Sequence, residues 1–308
     1  MPLPMDRHAF LIMAHNEPEI LTALLRQTDA PGFDVYLHID AKALDLQQRF
    51  AHYAPSRGGF YLLPSPIDIR WGDISQVDAE MLLLRTATAN GPYHYYHIIS
   101  GTDLMLKSTQ AFREAFAADP HKEYVNFWTS PSHLRDLKRK VTRYYFFTRH
   151  LKDKGSLIHA LTSPVRNLAL TAQKITGFRR RMPRGIEFCK GGNWASITEN
   201  FAQYLLLHEP KLRHRLLHTL CPDEIYKQTL LWNSPFKSNI CNALTEEAEP
   251  STLRKIDWHR GSPYTWQTTD YDELISSSAL FARKFSSQHI DLVKRIIEHT
   301  RADDAPTP

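Results

Sequence analysis

Two stretches, HAFLIMAHN at residues 8–16 and FDVYLHID at residues 33–40, decide the fold class of this chain. Each is a short, mostly apolar run that ends in polar residues, which is typical of a strand buried on both faces of a parallel sheet. The intervening residues 17–28 place leucine and isoleucine side chains at helical spacing. The sequence therefore predicts a β-α-β unit, and in open sheets of this kind ligands bind at the carboxyl ends of the strands.

Further elements of both kinds follow along the chain. Periodicity predicts helices over residues 75–88, 198–208, 223–231, 271–281 and 288–299, and strands over residues 94–99, 123–128, 186–189, 194–197 and 253–258. The predicted fold class is therefore α/β, with a central mixed sheet that is mostly parallel.

The composition is that of a globular protein with a sizeable core, since 42% of the 308 residues are apolar. No apolar run approaches the roughly 18 residues that a membrane span needs, and residues 1–7 lack the pattern of a signal peptide. Cys189, Cys221 and Cys241 are too few and too scattered for a disulfide framework or a zinc site. We therefore expect a cytosolic protein with reduced thiols.

The net charge of +5 is unevenly distributed. Residues 135–184 contain 14 lysines and arginines against two acids, a net charge of +12, whereas the remainder contains 24 against 31, a net charge of −7. We call residues 135–184 the basic segment. It is expected to face an anionic partner: phospholipid headgroups, a phosphorylated substrate or nucleic acid.

Several common catalytic motifs do not occur. The sequence contains no Gly-x-Gly-x-x-Gly, no Gly-x-x-x-x-Gly-Lys-Ser/Thr, no Gly-x-Ser-x-Gly and no His-Glu-x-x-His. The dinucleotide-binding, NTPase, hydrolase and zinc-protease classes therefore have no motif in their favour.

Eight segments carry a resemblance to a known family. In chain order they are HAFLIMAHN (8–16), VYLHIDAK (35–42), RWGDISQVDAE (70–80), HIISGTDLMLK (97–107), KGGNWASI (190–197), PDEIYKQTL (222–230), LRKIDW (253–258) and LFARKF (280–285). Together they resemble the core-2/I-branching β-1,6-N-acetylglucosaminyltransferase family, which also contains the peptide-O-xylosyltransferases. The resemblance covers residues 8–286 and suggests a bacterial-type member.

The resemblance implies a GT-A-type nucleotide-sugar fold and inverting transfer from a UDP-sugar to a hydroxyl of a glycan or glycolipid. N-acetylglucosamine is the first choice of sugar, with xylose, glucose and galactose open. No metal or other cofactor is implied. Residues 1–300 would form one catalytic domain, with a nucleotide-binding half at 8–130, a basic helical insert at 131–185 and an acceptor half at 186–300, before a tail at 301–308.

An inverting transfer needs one general base, which takes the proton of the attacking hydroxyl. In the family this base looks like the glutamate of the Pro-Asp-Glu motif, which corresponds to Glu224. The same three residues are also an ordinary helix start, with Asp223 as the cap. Two roles stay open for Asp223, which is either a cap or a residue that supports Glu224.

The departing diphosphate needs positive charge. The resemblance assigns this to Lys284 in LFARKF, with Arg254 as its partner and Arg260 as a competing candidate. The one Asp-x-Asp sequence, at residues 270–272, is expected to cap a helix instead of holding a metal.

Donor and acceptor contacts are expected at the strand ends. By the resemblance, His15 and Asp40 are uridine contacts, and Trp71, Asp103 and Trp194 contact the donor or acceptor sugar. Two alternatives stay open, because His15 could be a core histidine and Trp194 a core aromatic residue.

Two classes of function follow from these features. In the leading one, a glycosyltransferase works at the cytosolic face of a membrane, and the basic segment touches anionic lipid or a diphosphate-linked acceptor without taking part in catalysis. In the other, the basic segment and its aromatic residues 144–147 bind nucleic acid. The second class leaves the eight ordered segments unexplained, so no nucleic-acid partner is expected.

Overall fold

The computed structural model of the chain describes residues 6–242 and 245–302. The strands are β1 (His8–Ala14), β2 (Phe33–Ile39), β3 (Gly59–Leu62), β4 (Tyr95–Ser100), β5 (Leu104–Met105), β6 (Ala195–Thr198), β7 (Arg254–Ile256) and β8 (Phe281–Arg283). The helices are α1 (Pro18–Gln27), α2 (Leu44–Phe50), α3 (Ser75–Asn90), α4 (Thr109–Ala118), α5 (Pro131–Thr142), α6 (Leu157–Thr176), α7 (Glu199–Leu216), α8 (Tyr226–Trp232), α9 (Ala248–Thr252), α10 (Tyr271–Ile275) and α11 (Ile290–Ala302).

The central sheet has the strand order β3-β2-β1-β4-β6. β1 pairs in parallel with β2 and β4, β2 pairs in parallel with β3, and only β6 runs antiparallel, against β4. The predicted α/β class with a mixed, mostly parallel sheet is therefore confirmed. A smaller sheet, ordered β5-β8-β7, lies beyond the carboxyl end of β4.

β1 is covered on both faces, which explains why its sequence is almost entirely apolar. Its alternate residues Phe10, Ile12 and Ala14 belong to the hydrophobic cluster that includes side chains of α1, α4 and α11. Its other residues, such as Leu11, pack into the cluster that includes side chains of α3 and α7. Because successive side chains of a strand point to opposite faces, a strand covered on both faces needs an unbroken apolar run.

Three sequence-based element predictions are wrong. Residues 123–128 form isolated bridges at Glu123 and Tyr124 instead of a strand, and residues 186–189 are irregular. The helix predicted over 271–281 ends at Ile275, because Phe281 pairs with β5 and β7 as the first residue of β8.

The basic segment is helical in two parts, as predicted for the insert. α5 starts at Pro131, and α6 is capped by the Ser156 side chain and ends at Gly177, which has a φ of 69°. Left-handed backbone of this kind favours glycine. Across the described residues, no helix combines the length and apolar character needed to cross a bilayer.

Candidate active site

The carboxyl ends of β1, β2 and β4 open onto a cleft of about 1630 Å³. This exceeds the roughly 300–1,000 Å³ of an ordinary small-molecule site, which leaves room for a donor and an acceptor. Seven of the nine predicted site residues line it: His15, Asp40, Trp71, Trp194, Glu224, Arg254 and Arg260. The other two, Asp103 and Lys284, lie beside it.

Glu224 stands on the cleft wall at the end of a 3₁₀ turn, Pro222–Glu224. The turn is held from two sides by backbone hydrogen bonds. The Gly191 amide donates to the Glu224 carbonyl at 2.9 Å, and the Cys221 amide donates to the Gly72 carbonyl at 3.0 Å. The Trp-Gly and Gly-Gly segments of the sequence thus fix the direction in which Glu224 points.

Both glycines are required by geometry. Gly72 has a φ of 77°, which disfavours any side chain. A Cβ at Gly191 would overlap the carbonyl oxygen of Asn126. With larger residues at these positions, the two segments could not pack this closely around the turn that carries Glu224.

Of the two roles that the sequence leaves open for Asp223, a helix cap or a residue that supports Glu224, the structure excludes the cap. α8 begins only at Tyr226 and has no side-chain cap. Asp223 is buried instead, and burial, together with the neighbouring Glu224, raises its pKa to about 7.

Two lysines hold the Glu224 carboxylate. Lys140 Nζ lies 2.9 Å from Oε2, and Lys190 Nζ lies 3.3 Å from the same oxygen. The same lysines contact Oδ2 of Asp136, at 3.2 Å and 2.6 Å. Two carboxylates and two ammonium groups therefore alternate in a compact cluster, which offsets the cost of burying the lysines.

The cluster shifts the pKa values of Lys140 and Asp136. Burial alone would lower the pKa of Lys140, yet Glu224 and Asp136 raise it above its ordinary value. Burial would raise the pKa of Asp136, but the hydrogen bond from Lys190 and the charge of Lys140 hold it well below its usual range. Asp136 and Lys140 both lie on α5, so the basic segment does not stand apart from Glu224.

Arg254 lies beneath the cleft and is only 1% exposed. Its Nη2 donates to the Ala195 carbonyl at 2.7 Å and to Ser196 Oγ at 3.1 Å, and its Nη1 donates to the Thr252 carbonyl. Burial lowers its pKa to about 9. This arginine ties the two sheets together, and both of its Nη atoms donate to groups of the protein.

Arg260 lines the cleft, but its guanidinium is matched by acids. It binds Asp257, Asp270 at 2.9 Å and Glu273 at 2.9 Å. A cation already paired with three carboxylates has little positive charge to offer a diphosphate. Asp270 accepts a hydrogen bond from the Gln267 amide in the capping box of the 3₁₀ turn Thr268–Asp270. It stands at the N-cap position of α10 but makes no side-chain capping hydrogen bond there, so the prediction that the Asp-x-Asp sequence caps the following helix is wrong.

Arg283 is the arginine that the sequence analysis passed over. It lines the cleft, its Nε lies 3.5 Å from Oδ1 of the buried Asp103, and its guanidinium lies 4.3 Å from the ring centre of Trp194. Burial lowers the pKa of Arg283 and raises the pKa of Asp103. The charge of each residue opposes the shift of its partner. Asp103 is therefore placed to position Arg283, not to touch a sugar.

Lys284 faces away from the main cleft. It lines a separate cavity of about 430 Å³ with Asn16, Glu17 and Thr102. Lys284 follows the last residue of β8, and Arg283, not Lys284, is the cation of LFARKF that lines the main cleft.

The predicted uridine contacts lie together at the ends of β1 and β2. Asp40 is buried and accepts hydrogen bonds from the Lys42 amide at 2.9 Å and from Lys42 Nζ at 3.0 Å. His15 lines the cleft, and partial desolvation lowers its pKa while Asp40 opposes this. The core histidine of this region is His38, whose Nε2 accepts a hydrogen bond from the Ile67 amide.

Aromatic faces flank the cleft. Trp71 is half exposed, with Lys152 Nζ 4.2 Å from its ring centre, and Trp258 is exposed to the same degree. Such rings offer apolar faces to sugar rings. No group of three or more His, Cys, Asp or Glu side chains suited to a metal ion occurs within residues 6–242 and 245–302.

The model of the Core-2/I-Branching enzyme family matches residues 8–277. The chain belongs to this family. Xylosyltransferase 2 from Rattus norvegicus is 23% identical to this family member over 92% of the chain, and Xylosyltransferase 2 from Homo sapiens is 22% identical over 92%. The chain spans about a third of the length of these relatives (32% and 33%). A solved structure, mouse xyloside xylosyltransferase 1 in its apo form, covers 91% of the chain and is itself covered to 97%, with 9% identity and a TM-score of 0.39.

Four residues of this family member's site escaped the sequence analysis: Asp136, Lys140, Lys190 and Arg283. Lys190 and Arg283 stand inside matching segments, Arg283 directly before Lys284 and Lys190 four residues before Trp194. Asp136 and Lys140 lie in no matching segment. Their one sequence signal is the i, i+4 spacing of opposite charges on a helix, which is common on solvated faces.

Proposed function

We propose that the protein transfers a sugar, with inversion, from a UDP-sugar to a hydroxyl of a glycan or glycolipid, and that Glu224 is the general base. Family membership supports the reaction class. The single observation that carries the role of Glu224 is its carboxylate on the cleft wall, fixed through Oε2 by Lys140 and Lys190.

The proposed chemistry is one displacement. The acceptor oxygen attacks the anomeric carbon of the donor while its proton passes to the Glu224 carboxylate. The bond from that carbon to the β-phosphate oxygen breaks, and UDP departs with the electron pair. Because the lysine contacts fall on Oε2, Oε1 is the oxygen proposed to receive the proton.

The charge on departing UDP needs a cation in the cleft. We propose Arg283 for this role, with Lys284 at the adjoining cavity as a second cation, in preference to Arg254 or Arg260. The reason is that Arg254 is used by carbonyl groups and Arg260 by three carboxylates, whereas Arg283 pairs with Asp103 at 3.5 Å. An arginine in this position supports the proposal that no divalent ion is required.

The remaining contacts follow from position. His15 and Asp40 are proposed to hold the uridine at the ends of β1 and β2, and Trp71 and Trp194 are proposed to face the sugars. N-acetylglucosamine remains the first choice of donor sugar from the family resemblance. The names of the curated relatives favour a second donor, UDP-xylose.

The test is a panel of UDP-sugars incubated with the purified protein. We expect thermal stabilisation by UDP and slow UDP release from one donor of the panel, with UDP-N-acetylglucosamine and UDP-xylose as the leading pair. Stabilisation by an oligonucleotide and by no member of the panel would favour the nucleic-acid-binding alternative instead.

A further inference from the structure

The outward face of α6 is apolar. Leu157 is 76% exposed, Leu161 64%, Val165 53%, Leu168 71% and Ile175 80%. Their spacings of four, four, three and seven residues place them on one side of the helix. We call these five residues the apolar stripe. It runs the length of a 20-residue helix, about 30 Å.

The inward face of α6 is polar. Gln173 accepts a hydrogen bond from the Tyr144 amide at 2.8 Å and donates to the Tyr144 carbonyl at 3.0 Å. His159 Nδ1 pairs with the His150 carbonyl at 2.8 Å. A surface helix ordinarily turns its apolar side to the core, so α6 is reversed. α6 packs against the rest of the protein through its polar face. The apolar stripe on the opposite face is therefore not covered by other parts of this chain.

Exposed positive charge lies at both ends of the apolar stripe. No Asp or Glu occurs between Asp153 and Glu187, while Lys154, Lys174, Arg179, Arg181 and Arg184 are exposed. Exposed Phe178 and Met182 alternate with these arginines. Arg180 is the exception, because it is buried and donates to the Arg215 carbonyl at 2.7 Å and to Thr219 Oγ1 at 3.0 Å.

We propose that α6 and residues 178–184 bind an anionic lipid bilayer, with the helix axis parallel to the membrane plane and the apolar stripe among the headgroups. A long exposed apolar side with lysine and arginine close to it in the chain is the pattern of an interfacial helix. A second copy of the chain fits less well, since a symmetric contact would bring two acid-free, basic surfaces together. The inference stands independently of the proposed function.

The test uses sedimentation with vesicles of phosphatidylcholine alone and of phosphatidylcholine mixed with phosphatidylglycerol. The apolar variant carries Leu161→Gln, Leu168→Gln and Ile175→Gln. The charge variant carries Arg179→Gln, Arg181→Gln and Arg184→Gln and leaves Arg180 in place. The matched control carries Leu44→Gln and Leu207→Gln, at leucines that are 62% and 68% exposed elsewhere on the molecule.

We expect the wild type to bind the mixed vesicles and the control to bind equally well. Each triple variant should bind roughly 100-fold more weakly, with an unchanged melting temperature, because exposed side chains are altered. Three results would overturn the proposal: no binding by the wild type, undiminished binding by the apolar variant, or a wild-type dimer that the apolar variant converts to monomer. The last result would assign the apolar stripe to a second copy.

Discussion

The ammonium of Lys140 lies 2.9 Å from Oε2 of Glu224, which places a cation of the basic segment directly on the carboxylate proposed as the base. Lys140 is almost completely buried, as is Lys190 on the other side. Since the two lysines are shared with Asp136, the position of Glu224 depends on α5 as well as on the turn that carries it.

Replacement of Lys140 by methionine should destabilise the protein and slow transfer. The change leaves Glu224 and Asp136 with one lysine between them, and we expect a loss of about 1–3 kcal/mol, because both carboxylates remain partly solvated. Arg139→Met is the matched control, since Arg139 contacts Asp136 from the same helix but is half exposed. Urea unfolding measures the effect; equal losses in the two variants would contradict the account.

Arg283 should matter for UDP affinity separately from its effect on stability. Arg283→Gln leaves Asp103 buried without its cation, so it should lose both stability and UDP binding. The double variant Arg283→Gln with Asp103→Asn should regain most of the stability while UDP still binds at least roughly tenfold more weakly. Calorimetric titration with UDP measures this. If the double variant binds UDP like the wild type, Arg283 is not the diphosphate contact.

Activity should survive an excess of EDTA. The diphosphate charge is assigned to Arg283 and Lys284, so removal of divalent ions should leave the rate within about twofold. UDP release before and after chelation measures this. Complete loss that Mn²⁺ or Mg²⁺ restores would contradict the assignment and return attention to Asp103 and to the acids at residues 270 and 272.

Asp223 should make stability fall as the pH rises from about 4 to 7. Burial raises its pKa to about 7 in the folded protein, so over this window the folded state binds more protons than the unfolded state and stability decreases with pH. Asp223→Asn should remove this contribution and be more stable than the wild type at pH 8 by roughly 2–4 kcal/mol. Urea unfolding at pH 4 and pH 8 measures the difference, which should be small at pH 4. A difference of the same size at both pH values would refute this role of Asp223.

The sequence predicted the parts of the fold that local patterns determine. The boundaries of β1, β2 and α1 came within about two residues of those observed, because an apolar run or a helical period records burial directly. Residues 123–128 looked like a strand for the same reason, yet Glu123 and Tyr124 find only single bridges. The segments with which a strand pairs lie far away in the chain, so a local sequence pattern does not show whether they are available.

The site was predicted to the level of segments but not always to the level of side chains. LFARKF lies at the cleft, but its Arg283 lines the main cleft and its Lys284 a separate cavity, a distinction that depends on the tertiary structure. LRKIDW was placed correctly, but the burial of Arg254 depends on the carbonyl groups of β6 and α9. The exposure of the apolar face of α6 could not be predicted either. Periodicity shows that a helix has an apolar and a polar face, but not which of them packs against the rest of the protein.

The most direct measurement is the rate of transfer by Glu224→Gln, compared with its affinity for UDP. The substitution is nearly isosteric and removes the proton acceptor, so we expect a fall in kcat on the order of 10²–10⁴ with UDP affinity unchanged. A Glu224→Gln enzyme that keeps more than roughly a third of the wild-type rate would contradict the assignment of the base, because loss of general-base catalysis costs far more than that.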